Sequence, residues 1–203
     1  MTLALIDYGA GNLQSVKNAL KAAGAADIAV TADPELVAKA ERIVLPGVGA
    51  FAHCMGALSA IDGMVEAMDA RVRGHGAPFL GICVGMQLLA DQGVEHGTHA
   101  GLAWIGGTVR AIEPSANIKV PHMGWNDVTL AASHPVLGAG EAYFLHGYHF
   151  EAADDANVLA TTSHGGALTA AVGHDTILGV QFHPEKSQNY GIEFLKRFLG
   201  WKP

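Results

Sequence analysis

Pro78-Phe79-Leu80-Gly81-Ile82-Cys83-Val84-Gly85-Met86-Gln87 sets a cysteine between two glycines, after an apolar run and before a helical one. Strand, sharp turn and helix in that order make a nucleophile elbow, with Cys where a serine hydrolase carries Ser. Such a turn crowds backbone around the nucleophile, and the flanking glycines relieve the crowding. The helix expected after it would point its positive end at the sulfur and favour the thiolate. A cysteine packed between glycines in a core is the plain alternative. The order strand, turn, helix favours Cys83 as nucleophile.

Outward from the elbow, the first half alternates strands with helices. Leu3 to Ile6, Ile28 to Val30 and Ile43 to Leu45 read as short buried strands. One helix carries Leu13, Val16, Leu20 and Ala23 on a face and stops at Gly24. A second carries Leu58, Ile61, Val65, Met68 and Val72. This alternation predicts an α/β fold with a mostly parallel central sheet and helices on both faces. Functional groups then gather at the carboxyl ends of the strands, where Asp7 to Asn12, Pro46 to Gly49 and Cys83 all fall. In the second half Trp104 to Ile112, Val128 to Leu130, Ala142 to Phe150 and Val158 to Thr162 succeed one another with few helices, which predicts an antiparallel extension of the sheet. Tyr190 to Leu199 reads as a closing helix that buries Ile192, Leu195, Phe198 and Leu199. No linker or repeat divides the chain, so residues 1–203 read as one domain.

A cysteine nucleophile needs a base, and the base an orienting group. Gly179-Val180-Gln181-Phe182-His183-Pro184-Glu185-Lys186-Ser187 offers both. The proline biases His183 toward an extended conformation, and residues two apart in an extended chain share a side. His183 is the candidate base and Glu185 its candidate partner, in the order His then acid. Alone, His-Pro-Glu reads equally as a polar turn. Pro46-Gly47-Val48-Gly49 is a side-chain-poor loop after a strand. It is suited to turning backbone N–H groups toward an oxyanion, together with the N–H of Val84. Gln87 lies one helical turn past Cys83, within reach of the same pocket.

The composition excludes several classes. Half the residues are hydrophobic and 15% are charged, which suits a packed globular chain. A formal net charge of −7 with no basic run argues against nucleic acid. No stretch is long and apolar enough to span a bilayer. The opening Met1-Thr2-Leu3-Ala4-Leu5-Ile6-Asp7 has no basic leader, so the expected location is the cytoplasm. Two cysteines, Cys54 and Cys83, make no disulfide framework. Gly9-Ala10-Gly11 shares the start of a dinucleotide fingerprint, but Gln14 occupies the third-glycine position. His96 with His99, and His146 with His149, have metal-like spacing without a companion motif. Neither a cofactor nor a metal is expected.

Gly-Ile-Cys-x-Gly-Met-Gln with a distant His-Pro-Glu resembles the class I, or triad, glutamine amidotransferases. Four blocks extend the resemblance over nearly the whole chain, toward the glutaminase subunits of imidazole glycerol phosphate synthase: Asp7 to Val16, Leu45 to Phe51, Pro121-His122-Met123-Gly124-Trp125-Asn126, and Phe182 to Ser187. The resemblance implies glutamine hydrolysis by Cys83, His183 and Glu185. It gives Val48, Gly49 and Val84 the oxyanion and glutamine-contacting backbone, and Gln87, His146 and Tyr148 the substrate border. It implies a heterodimer in which ammonia passes to a (β/α)-barrel cyclase subunit, met by Asn12, Trp125, Tyr143 and Lys186. Val84 replaces the usual leucine, and Gly147 stands where the family carries a serine or threonine, removing a hydroxyl contact. Other triad glutaminases, of pyridoxal phosphate or purine synthesis, fit the opening and Trp125 blocks less well. A catalytically silent docking subunit is the alternative from another class, and labelling Cys83 with a glutamine-like electrophile separates it from an enzyme.

Overall fold

A computed structural model describes residues 2–114 and 118–203. Strand β1 (Thr2–Ile6) leads into helix α1 (Leu13–Ala22), whose first turn is capped by the Asn12 side chain accepting from the Ser15 N–H. Then come β2 (Asp27–Thr31), α2 (Pro34–Lys39) and β3 (Arg42–Gly47). Next are α3 (Phe51–Ser59), α4 (Met64–Asp69) with a π-helical turn over Ala70–Gly74, β4 (Phe79–Cys83) and the single turn α5 (Val84–Gln87). Short strands β5 (Gln92–Val94), β6 (Thr98–Ala100) and β7 (Gly107–Ala111) follow. After them run β8 (His122–Leu130), β9 (Gly140–His146), β10 (Tyr148–Ala152), β11 (Val158–Ser163), β12 (Ala167–His174), β13 (Ile177–Val180) and the closing α6 (Gln188–Gly200).

Among the described residues the strands form two sheets. The larger has the order β2-β1-β3-β4-β13-β12-β11-β8-β9, and the smaller β10-β7-β5-β6. Pairing is parallel from β2 to β13 and antiparallel from β13 outward to β9. The expected parallel sheet with an antiparallel extension is thus present. Its central strands β3, β4 and β13 are buried throughout, the pattern of strands covered on both faces.

Several expectations need correction. The β2 strand is an edge, with Ile28 and Ala29 half-buried and Val30 exposed, because only β1 pairs with it. The helix expected over Leu58 to Val72 breaks between α3 and α4, where Gly63 takes a positive φ of 75°. Helix α2 was not anticipated, although Asp33 accepts from the Glu35 N–H and Pro34 opens the first turn. Ala142 to Phe150 is two strands in different sheets, parted at Gly147. The Gly147 carbonyl is taken by the Ile112 N–H at 2.9 Å, which commits the following segment to β7. In α6 the buried residues are Gly191, Phe194, Leu195 and Phe198, while Ile192 and Leu199 are half-buried.

Register positions the site. Gly47 at the end of β3 lies beside Cys83 at the end of β4, and Val180 at the end of β13 lies beside Ile82. Pro46 to Gly49, the elbow and Gln181 to Glu185 therefore emerge at one sheet edge. No helix among the described residues is long and apolar enough to cross a membrane.

Candidate active site

Cys83 sits at φ 55°, ψ −112°, a conformation that L-residues rarely adopt and that typifies strain held at a working position. The turn closes tightly on β3. A Cβ at Gly85 would overlap the Leu45 carbonyl oxygen, and one at Gly47 would press on the Gly85 N–H and the Tyr8 hydroxyl. Those contacts are why side chains are missing there. The helix after Cys83 is one turn, too short for the dipole expected of it to matter much. Val84 still opens that turn, where an N–H has no helical acceptor.

His183 is held from both sides. Its N–H donates to the Tyr143 carbonyl at 2.9 Å, and its own carbonyl accepts from Ser187 Oγ at 2.6 Å and the Lys186 N–H at 3.0 Å. The backbone at His183 is extended, at φ −99° and ψ 99°, as Pro184 requires. Glu185 reaches His183 by a different route from the strand alternation expected. Pro184–Lys186 is a 3-10 turn, and it brings Glu185 Oε1 to 2.8 Å from His183 Nδ1. Both side chains are buried, and Glu185 Oε2 has no hydrogen-bond partner among the described residues.

Burial alone would lower the His183 pKa. Hydrogen bonds and charge attraction to Cys83 and Glu185 outweigh it and push the value up to about 10. The sulfur and the imidazole face the same cavity, with the carboxylate bonded behind the ring. A carboxylate accepts only, so His183 Nδ1 carries its hydrogen and Nε2 is the nitrogen available for proton transfer.

A cavity of about 320 Å³ opens over these groups. Val48, Gly49, Cys83, Val84, Gln87, His146, Tyr148 and His183 line it, with Lys186 at its border. The structure therefore brings together all of these sequence-predicted residues; Glu185 stands behind His183. Gly147 lines the cavity too, and an added Cβ there would meet only Val120, at 3.6 Å. A Cβ is thus accommodated at the position where the resemblance implies a hydroxyl-bearing residue.

The loop Pro46 to Gly49 is fastened from beneath. Tyr8 donates its hydroxyl to the Pro46 carbonyl at 2.7 Å, and Cys54 Sγ lies 3.4 Å from the Val48 carbonyl. In a trans peptide N–H and C=O oppose each other, so the Gly49 N–H turns away from Cys54. Gly49 has φ 110°, which glycine adopts without strain. Burial, foremost, raises the Cys54 thiol above its usual range.

Two predicted contacts are restricted. His146 Nδ1 donates to the Tyr148 carbonyl at 2.9 Å, and its Nε2 accepts from His122 Nδ1 at 2.9 Å. His122 Nε2 in turn accepts from Asn126 Nδ2 at 3.0 Å. Burial drives both imidazoles down, His146 to about 3 and His122 to about 4, and the neighbouring imidazoles add to it. They are neutral near pH 7, and His146 has no free nitrogen for a ligand. That commitment also removes it from the metal pairing its spacing suggested. Gln87 uses its NH₂ twice, on the Tyr148 carbonyl at 3.0 Å and on Gln181 Oε1 at 2.9 Å, which leaves its own oxygen for a ligand.

Sequence reasoning missed Glu95 and Gln181. Glu95 lines the cavity from the β5–β6 turn and accepts from the Phe51 N–H at 2.7 Å; an acid in a Gly-rich turn carries no local signal. Trp125, Tyr143 and Lys186 form a cluster beside the cavity. Trp125 meets the Tyr143 ring edge-on at 6.2 Å, and Lys186 Nζ stands 5.7 Å over the same ring. Trp125 is 47% exposed. Asn12 lies outside that cluster, at the α1 cap.

The model of the family described as "Glutamine amidotransferase class-I" matches residues 4–200. The chain is 63% identical to the imidazole glycerol phosphate synthase subunit HisH of Zymomonas mobilis, across 100% of this chain and 97% of that one. It is 53% identical to the protein of that name from Rhodospirillum rubrum, across the full length of both. Among solved structures, a glutamine amidotransferase superposes with a TM-score of 0.74 at 21% identity, covering 96% of this chain and 98% of that one. A GMP synthase component from Thermoplasma acidophilum superposes with a TM-score of 0.72 at 20% identity, covering 98% and 92%. These two likenesses concern the fold.

Proposed function

The chain belongs to the class-I glutamine amidotransferase family, and we propose that it hydrolyses L-glutamine and passes the ammonia to a separate cyclase subunit for imidazole glycerol phosphate synthesis. The observation that carries the chemistry is that Cys83 and His183 line one open cavity, with Glu185 bonded to the imidazole from behind. The Cys83 thiolate attacks the side-chain amide carbon of glutamine, and the carbonyl π electrons move onto oxygen. Backbone N–H groups of Val84 and of the Val48–Gly49 loop receive that oxyanion. The His183 imidazolium protonates the departing nitrogen, the C–N bond breaks, and ammonia leaves a thioester. Water, losing a proton to His183, attacks the thioester and frees glutamate and Cys83. Glu185 keeps its charge throughout. The Gln87 oxygen and the Glu95 carboxylate suit the α-ammonium of the substrate.

We read the whole chain as one cytoplasmic domain of a heterodimer, with Trp125, Tyr143 and Lys186 on the docking face and Asn12 at its margin. The exposed aromatic cluster with one cation is the kind of surface that dominates affinity when covered. Trp125→Ala should weaken binding to the cyclase at least roughly tenfold, by titration calorimetry, without changing the fold. Equal affinity would remove Trp125 from the interface.

Reconstitution tests the function. The cyclase alone should use ammonium but not glutamine, and adding this chain should confer glutamine use. With amide-labelled glutamine against unlabelled ammonium, product nitrogen should come mainly from the label. A cyclase that uses glutamine equally well without this chain overturns the proposal.

A further inference from the structure

Gln181 is completely buried one residue past β13, and the chemistry above gives it no task. Its side-chain amide lies 3.6 Å from Cys83 Sγ. Which end of the amide faces the sulfur decides whether it favours or opposes a thiolate, and the neighbours settle that from the outside in. The Tyr148 carbonyl can only accept, so the Gln87 atom 3.0 Å from it is the nitrogen. That nitrogen has a second hydrogen, and the Gln181 atom 2.9 Å away must take it, so it is Oε1. Gln181 is left presenting Nε2–H to the sulfur. Its backbone is fixed as well, with its N–H on the Ala170 carbonyl at 2.9 Å.

We propose that Gln181 is a catalytic residue of the glutaminase reaction, donating a hydrogen bond from its side-chain amide to the Cys83 thiolate while Gln87 holds it in that orientation. The proposal rests on Cys83 being the nucleophile. A donor aimed at sulfur favours the charged form. It offsets the Leu145 carbonyl, 3.9 Å from the same sulfur, which can pair only with the protonated thiol. The other ionisable groups around the sulfur are His183, Tyr8 and Cys54. Tyr8 and Cys54 are both shifted upward, chiefly by burial, and stay neutral near pH 7. Glu95 and Lys186 share the cavity lining. His183 and Gln181 are therefore the donors that serve the thiolate. Gln87 has a double task on this account, offering its oxygen to the cavity and its nitrogen to the sulfur's partner.

The test reads the sulfur directly, through the pH dependence of Cys83 alkylation by iodoacetamide in the intact chain. Peptide-resolved mass spectrometry separates Cys83 from Cys54. Gln181→Met keeps length and loses the donor, so the midpoint should rise by about one pH unit. The high-pH plateau rate should rise about threefold, because a more basic thiolate is the better nucleophile. A merely structural role would lower the plateau and leave the midpoint in place. Gln181→Glu keeps the acceptor for Gln87 but sets a carboxylate beside the sulfur, and should move the midpoint further. In the wild-type chain, the Gln181 side-chain amide proton signal should titrate with that same midpoint, a readout that needs no variant to fold. An unmoved midpoint in the folded variants, or an amide signal that ignores the titration, overturns the proposal. Neither measurement needs turnover; persistence of glutamine hydrolysis in Cys83→Ala protein would instead overturn the nucleophile itself.

Discussion

Cys83→Ala should lower glutamine hydrolysis by the reconstituted complex by on the order of 10⁶-fold, to near the limit of detection. Alanine offers no atom to form the thioester, and no described side chain near the cavity substitutes. Cys54 is 0% exposed, on α3 beneath the Val48 carbonyl, and is not among the residues that line the cavity. The fold should survive, since the lost thiol sits on the wall of an open cavity and leaves behind the long contact to Leu145, the amide of Gln181 and its attraction to His183. Cys54→Ala should cost at most a few-fold, through a slackened Val48–Gly49 loop. The cyclase reaction with free ammonium should be unaffected by either change. Coupled glutamate release, measured beside the ammonium-dependent reaction, checks all three outcomes. Robust glutaminase activity without the Cys83 sulfur would refute the mechanism.

What could be read from the sequence was what is local. The elbow around Cys83, the loop Pro46 to Gly49 and His183-Pro184-Glu185 each carry their geometry within a few residues, set by glycine freedom or by a proline. They could be paired before any fold was known. Gln181 has no such signal. Its partners Gln87 and Cys83 lie 94 and 98 residues away in sequence, and only the parallel pairing of β13 with β4 brings them near. That insertion of a late strand beside an early one leaves no trace in periodicity. Gly147 shows the opposite limit. Alternation continues smoothly from Ala142 through Phe150, yet the chain changes sheets at the glycine because the Ile112 N–H claims its carbonyl. Asp33-Pro34 and Asp62-Gly63 did carry cap and break signals.

Glu185→Gln should lower kcat of the reconstituted complex on the order of a hundredfold while KM for glutamine changes little. The introduced amide can place its oxygen where Glu185 Oε1 stands, 2.8 Å from His183 Nδ1, and so keep the imidazole tautomer and its aim. Its NH₂ then occupies the position of Oε2, which is buried with no hydrogen-bond partner among the described residues, so a modest stability loss accompanies the substitution. What disappears is the negative charge. In the wild type, attraction from Cys83 and Glu185 overcomes burial and raises His183 to about 10. Removing the Glu185 share lets burial act with less opposition, so the imidazolium gives up its proton at lower pH. The neutral ring cannot protonate the departing amine. The alkaline limb of the kcat profile should therefore shift toward acid in the variant, and the deficit should widen as pH rises. Had Glu185 served only to shape the turn at Pro184–Lys186, the variant would lose stability without moving that limb. A parallel, unshifted profile at reduced height would assign the loss to misplaced geometry, and a wild-type profile would leave Glu185 no part in the chemistry.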